Sequence, residues 1–579
     1  MLNQYRLCLA ASIFVALLFS LSGFGLSLQE YTIQDDARQH VFWLQRLNDP
    51  ELFRDDLIAD YFSSVAPAGY KFIYWLANLF GLEPFVFNKI LPLLLGVGTS
   101  IYVFLVTLEI FPVPLAGFFA SLLLNQNLWL LDDLVSGTPR SFLYILFLGF
   151  IYHLLRQQLL PCILLIVLQG LFYPQVLLIS AGILCLNLIT QKQGRYLYLT
   201  GLIAAVITVG IYKFQTAEFS QVITLAQAKQ LPEFYPAGRS AFFNDNPWYF
   251  WLVGKQSGFF PFEWQYFLMC SFGLLLPILA KFPRQFPLVK QLNQQARIIW
   301  QIIITSFVWY ALSHFILFRL HLPSRYSQHT NRLAIALLSG ITLAILLHKL
   351  IQRFAAHSPT RQLIIIAIAI SALLYPTYAV QAYPHRLGYV TATTPELYQF
   401  LRQQPKNIII ATLSESGDFI PSFAQRSVLT AREYSIPYHW DYYKQIRQRT
   451  QDLIQAQYSS NQADVQQFIH QYQVDLWLIE RTAFTNEYLQ HNDWLRQFQP
   501  EIQQAMPLCE AVCHGTSFAS SFRTASFAIA NLTKPSAIAQ KIDQCSIFST
   551  PNLNVLDSKC LLETQTPHFN LNHKKDRSF

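Results

Sequence analysis

The feature that most constrains this chain is the recurrence of long apolar stretches with few charges. Leu7 to Leu28 contains no Asp, Glu, Lys or Arg, and at 1.5 Å rise per residue it is long enough to cross the hydrocarbon core of a bilayer. Comparable runs follow at about 71–82, 87–110, 112–131, 141–155, 159–173, 174–190, 196–213, 264–280, 298–318, 333–349 and 363–383, each bounded by charge, Pro or a turn. Of the 579 residues 53% are hydrophobic and 13% charged. The expected fold is therefore a polytopic α-helical membrane protein of about eleven transmembrane helices, residues 1–383, followed from 384 by a polar domain to 567 and a disordered tail, 568–579.

Orientation follows from the cations. Arg156, Lys192 and Arg195, Lys281 to Lys290, and Lys349 with Arg353 and Arg361 fall on one side if the spans alternate, which makes that side cytoplasmic. Arg6 places the N-terminus there too. An even number of crossings is then needed between residues 60 and 132, so the short run 71–82 is a half-crossing or interfacial helix. The net charge of +8 belongs to these loops rather than to a nucleic-acid surface, and no Walker loop, dinucleotide fingerprint or zinc-finger spacing is present. The first apolar run is too long for a signal-peptide core and stays as an uncleaved helix. The expected location is a multi-pass, bacterial-type inner or plasma membrane, with the C-terminal domain extracytoplasmic.

This topology puts four polar stretches outside: 29–65, 131–140, 214–262 and 319–332. The first carries the adjacent carboxylates Asp35 and Asp36. Ala37, Val41 and Leu44, with Phe42 and Trp43 beside them, recur at near-helical spacing, so a short amphipathic helix is expected to lie along the interface and fix the acids. One Asp would serve as its N-cap; two carboxylates at a membrane surface suit a general base. Asp132 and Asp133, with Arg140, form a second acidic loop. The 214–262 loop mixes Glu218, Glu233, Arg239, Asp245 and Lys255 with aromatics such as Trp248 and Trp251, as an interfacial aromatic belt or a substrate cover would. The stretch Arg319 to Arg332 holds Arg319, His321, Arg325, Tyr326 and His329 on the side where cations are disfavoured. That misplacement favours an anion clamp for a phosphate or pyrophosphate over a snorkelling anchor.

Beyond 384, Pro395–Gln403 and Ala463–Tyr472 read as helices and 407–412 and 474–479 as buried strands, giving an α/β layer domain. Ser414 to Arg426 would carry any loop function, and beyond Ala505 only Ser526–Ala530 looks strand-like. Cys509, Cys513, Cys545 and Cys560 suit two disulfides better than a zinc site.

This combination resembles the GT-C class of membrane glycosyltransferases, the superfamily of oligosaccharyltransferase catalytic subunits and protein mannosyltransferases. The resemblance rests on the order of one span, an acidic outer loop with Gln34-Asp35-Asp36, many spans, and an outer C-terminal domain. Asp132-Asp133 with Ser136 to Arg140 lies where the class often has a second acidic loop, and Arg325-Tyr326 where it commonly meets a lipid-linked phosphate. The resemblance implies an inverting transferase acting on a polyprenyl-phosphate sugar, with Asp36, assisted by Asp35, as base, and a lipid, glycan or protein as acceptor. The chain departs from oligosaccharyltransferases at their W-W-D-Y-G motif, of which only Trp440-Asp441-Tyr442 is present. The paired acids are also compatible with a divalent cation, Mg2+ or Mn2+. Rival readings are a transporter or lipid-linked-sugar flippase with intramembrane charges, and a non-catalytic envelope polysaccharide assembly protein.

Overall fold

The computed structural model describes residues 2–215, 219, 221–261, 264–354, 358–375, 377–378, 383–384, 387–513 and 535–563. Glu218, Ser526–Ala530, the tail 568–579 and the side chains of Cys509 and Cys513 lie outside what is described. Two compact units form. The first comprises residues 1–398, 421–425 and 433–445; the second comprises 399–420, 426–432 and 446–579.

The first unit is built from helices that begin where the apolar runs begin: α1 (Leu2–Ser27), then, beyond β1 (Thr32–Gln34) and α2 (Ala37–His40), α3 (Leu57–Val65), α4 (Ala68–Leu79), α5 (Pro84–Ile110), α6 (Pro114–Leu128), α7 (Asp132–Val135), α8 (Leu143–Leu155), α9 (Leu159–Phe172), α10 (Pro174–Thr190) and α11 (Arg195–Gln215). After them come α12 (Leu225–Gln230), α13 (Trp264–Leu279), α14 (Arg297–Phe315), α15 (Gln328–Phe354) and α16 (Pro359–Tyr375). Prolines sit in the first turn of α5, α6 and α10, where a missing N–H costs nothing.

Among the described residues four helical stretches are long and apolar enough to cross a membrane: Asn3–Ser27, Pro84–Ile110, Gln294–Phe315 and Pro323–Phe354. Pro139–Leu155, Leu159–Phe172, Pro174–Thr190, Arg195–Ile211 and Pro359–Tyr375 are apolar but shorter. The protein is thus an integral membrane protein with several apolar helices, of which four are full-length among the described residues. Helix α4, with 12 residues, spans about 18 Å, too short to cross. It exposes Phe72, Trp75, Leu76 and Leu79 along one side, as an interfacial helix does. Helix α6 is buried from Ala116 to Leu128, because α1, α5 and α15 pack around it.

The stretch after the first span differs from expectation. Instead of one amphipathic interfacial helix, the four residues of α2 give way to a 3₁₀ turn, Phe42–Leu47, and both faces are buried. The apolar side packs Val41, Phe42 and Leu44 into the core, while the polar side chains Arg38 and Gln39 bond to Glu433. What fixes the acids is a strand: β1 pairs antiparallel with β2 (Tyr389–Thr391), Gln34 opposite Tyr389. The Asp35 N–H then donates to the carbonyl of Gly388 at 2.8 Å. A three-residue strand paired with one more than 350 residues away leaves little trace in local sequence.

The second unit opens within α17 (Pro395–Arg402). A mixed five-stranded sheet runs in the order β4 (Ser427–Val428), β3 (Ile409–Thr412), β5 (Leu476–Glu480), β7 (Leu553–Asp557), β6 (Ser546–Ser549). Strands β4, β3 and β5 are parallel, and β7 and β6 close the sheet as an antiparallel hairpin. Helices α18 (Trp440–Tyr458), α19 (Gln462–Tyr472), α20 (Asn486–His491) and α21 (Gln499–Cys513) accompany it, and its core includes Trp477, Phe468, Leu453 and Leu495. The β6–β7 hairpin was not expected; its signal was the turn Thr550-Pro551-Asn552 between two short alternating runs. Cys545 and Cys560, either side of that hairpin, are joined by a disulfide.

Candidate active site

Asp36 begins α2 without capping it: its side chain accepts no hydrogen bond from the helix. Its Oδ2 accepts instead from Arg140 Nη2 at 2.6 Å. Among the described residues Oδ1 has no partner, and the side chain is 29% exposed. Arg140 reaches two more carboxylates, with Nη2 3.4 Å from Asp132 Oδ1 and Nε 3.1 Å from Asp133 Oδ1. The two acidic loops foreseen in sequence therefore meet across one guanidinium.

The second acidic loop is held from below. Gly137 takes φ +61, a left-handed conformation that suits glycine, and a Cβ there would meet the Asn88 amide at 2.5 Å. Asn88 on α5 donates to the Ser136 carbonyl at 2.8 Å, and Tyr74 on α4 donates to that of Gly137 at 3.1 Å. Gly388, at φ +68, lies between Gln34 and Asp132; a Cβ would stand 3.2 Å from Gln34 Nε2 and 3.6 Å from Asp132 Cβ. Strand β2 thus brings the two acidic loops together.

The two acids of the second loop have different environments. Asp132 is 38% exposed and Asp133 5%. Asp133 Oδ2 accepts from the Tyr144 hydroxyl at 2.8 Å, pairs with Arg332 on α15, and lies 3.2 Å from His329 Nδ1. Burial by itself would raise its carboxyl, but the imidazole of His329 and the guanidiniums of Arg140 and Arg332 outweigh it and hold the group well below the usual carboxylate range. Asp133 therefore ties the loop to α15 and is not open to an acceptor. Asp35, 44% exposed, pairs with Arg38, whose Nη2 also donates to Glu433 Oε2 at 2.9 Å. Arg239 from the 214–262 loop donates to Glu433 Oε1, also at 2.9 Å.

The Arg319–Arg332 stretch divides. Arg319 is exposed, and the Tyr326 hydroxyl is spent on the Leu320 carbonyl at 2.8 Å. Burial, with Arg325 and His439 nearby, pushes His321 down to about 3, so it is neutral near pH 7 and offers a hydrogen bond but no charge. Among the described residues Arg325 has no carboxylate or carbonyl partner for its guanidinium. Beside it in sequence the hydroxyls of Ser324 and Ser327 and Nε2 of His329 are buried without partners. Arg325 acts electrostatically on Tyr173, which also feels Arg140 and Asp133, and on Tyr438, which also feels Arg239. It therefore belongs to the same neighbourhood as the acids.

Five residues of this site lay outside sequence reasoning: Arg38, Gln39, Tyr144, Arg239 as a partner of an acid, and Glu433. Glu433 falls in an aperiodic stretch, Arg432-Glu433-Tyr434, with no spacing to mark it; only its later burial singles it out. Among the described residues no three His, Cys, Asp or Glu side chains are disposed to hold a metal ion.

No family model matches this sequence, and no curated protein does. The fold, by contrast, has counterparts among solved structures. It is shared with the oligosaccharyltransferase AglB of Archaeoglobus fulgidus, solved with a tethered acceptor peptide carrying the NVT sequon: TM-score 0.50 and 12% identity over 86% of this chain and 72% of that one. A second structure of that enzyme, in complex with an inhibitory peptide and a dolichol-phosphate, gives TM-score 0.50 and 11% identity with the same coverage. At such identity the likeness is one of fold.

Proposed function

We propose that this protein is an extracytoplasmic-facing glycosyltransferase of a bacterial-type membrane, moving a hexosyl or pentosyl unit from a polyprenyl-phosphate-linked donor to a lipid, glycan or protein acceptor. The observation that carries the reading is the state of Asp36. Its carboxylate caps no helix; one oxygen is held by Arg140 and the other is open. The acceptor's attacking atom gives its proton to Asp36 Oδ1 as it bonds to the anomeric carbon. The bond from that carbon to the phosphate oxygen breaks, and the polyprenyl phosphate leaves with the electron pair, its charge met by Arg325. A single displacement inverts the anomeric configuration.

The surroundings of Arg325 support the leaving-group half. A guanidinium without an anion among the described residues, next to hydroxyls of Ser324 and Ser327 that likewise have no partner there, is a set of donors awaiting acceptors. The A. fulgidus enzyme was solved with a dolichol-phosphate, the same chemical class as the leaving group proposed here. Asp35 and Asp132, both open to solvent, would orient the acceptor. The Cys545–Cys560 disulfide supports placing the second unit in an oxidising compartment. The test is transfer of label from a tritiated polyprenyl-phosphate hexose in membranes containing the protein. Label that stays in the donor, with wild-type protein present and every native acceptor supplied, would overturn the proposal.

A further inference from the structure

We infer that Arg140 is the resident cation of this site and excludes a divalent metal from the acidic cluster, so that transfer proceeds without one; the inference rests on the transferase reading above. Paired acids beside a phosphate ester invite a metal. The residues present do not fit it. Arg140 stands between the three carboxylates that such an ion would bridge, with its nitrogens 2.6 Å from Asp36, 3.4 Å from Asp132 and 3.1 Å from Asp133. Mg2+ or Mn2+ needs carboxylate oxygens at about 2.1 Å, which would press the ion against the guanidinium.

Charge points the same way. The carboxylates of Asp35, Asp36, Asp132, Asp133 and Glu433 are met by the guanidiniums of Arg38, Arg140, Arg239 and Arg332. Little negative charge remains to compensate a divalent ion's desolvation. Arg140 is itself anchored: its side chain is 13% exposed, and it follows Gly137 and Pro139, which fix the loop. A planar fork with several N–H donors can hold the Asp36 and Asp132 carboxylates apart in fixed orientations, the positioning that a metal would otherwise give.

The experiment is Mn2+ titration of purified, chelator-treated protein, read by the electron paramagnetic resonance of free Mn2+, beside transfer of tritiated hexose in EDTA-washed membranes. Wild type should bind no Mn2+ at the cluster and keep its transfer in EDTA. Arg140→Ala, which removes one positive charge from among three carboxylates, should bind one Mn2+ at least about tenfold more tightly than wild type, and adding Asp132→Asn should abolish that gain. Arg140→Lys should still exclude the ion. Stoichiometric Mn2+ binding by wild type that Asp132→Asn removes, or wild-type transfer lost in EDTA and restored by Mn2+, would overturn the inference. So would Arg140→Ala binding no more Mn2+ than wild type. Should Arg140→Ala fail to accumulate, the wild-type titration alone decides. Absence of transfer with or without metal would remove the transferase reading, while the Mn2+ titration would still judge the resident cation.

Discussion

At the scale of single residues, the four neighbouring acids should separate by environment. Asp36→Asn keeps the shape and still accepts from Arg140, but cannot take a proton, so transfer should vanish while accumulation and donor binding persist. Wild-type transfer by Asp36→Asn would remove the base assignment. Asp35→Asn and Asp132→Asn, which alter open carboxylates beside the base, should lower activity less. Asp133→Asn should act mainly on folding, because it removes the charged member of a buried ion pair with Arg332, a loss of about 3–5 kcal/mol. A variant of Asp133 with normal melting and no transfer would contradict that division. Arg325→Ala should weaken turnover by about 2–4 kcal/mol in transition-state stabilisation, and Arg325→Lys should restore part of it, because an ammonium keeps the charge without the fork. Normal turnover by Arg325→Ala would place the phosphate clamp elsewhere.

At the scale of elements, the site depends on how closely helices approach. Gly340 on α15 lies against α6: a Cβ there would meet Ala120 N at 2.5 Å and Ala120 Cα at 2.7 Å. Only the absence of a side chain lets the backbones come so near. Helix α6 leads into Asp132 and α15 carries His329 and Arg332, so Gly340→Val should push apart the two supports of the acidic loop. Overpacking of this kind costs about 1–3 kcal/mol, read as a lower melting temperature in detergent together with reduced transfer; unchanged melting would show that the helices slide without cost. The same elements show what was legible beforehand. Apolar runs located the long helices of the first unit, and doubled Asp marked both acidic loops, because carboxylates beside long apolar stretches stand out. Arg140 and Arg325 were legible for the same reason. Glu433 and the β1–β2 pairing were not: the first is a buried acid in an aperiodic stretch, and the second joins segments far apart in sequence. The length of α6 was also misjudged, because it shows the composition of a span yet is a 15-residue helix buried from Ala116 to Leu128.

For the whole molecule, two acid responses should be separable. His321 has its folded value pushed from 6.5 to about 3, so the unfolded chain binds a proton that the folded one refuses. That contribution is complete above pH 6.5 and is lost progressively as pH falls toward about 3. Asp133, depressed below its usual 3.8, gives stability present above that value and lost only as pH falls further. Melting temperature measured from pH 7 to pH 5 should therefore decline in wild type and decline less in His321→Gln; equal slopes would assign the loss to another group. The last expectation concerns which side of the membrane the second unit occupies. Its disulfide spans 15 residues of sequence and encloses the β6–β7 hairpin, a closure worth about 3 kcal/mol in the chain-entropy account. Such a bond persists outside the cytoplasm and is reduced within it. A single cysteine introduced at Asn552, in the hairpin turn, should react with a membrane-impermeant maleimide added to intact cells. One introduced at Gln285, in the basic loop between α13 and α14, should react only after the membrane is opened. Reduction should lower the melting temperature of the second unit, and Cys545→Ser with Cys560→Ser should remove that sensitivity. If Asn552→Cys is protected in intact cells while Gln285→Cys is labelled, the orientation is reversed, and the acidic loops would face a compartment where a cytoplasmic, nucleotide-activated donor replaces the polyprenyl-phosphate one.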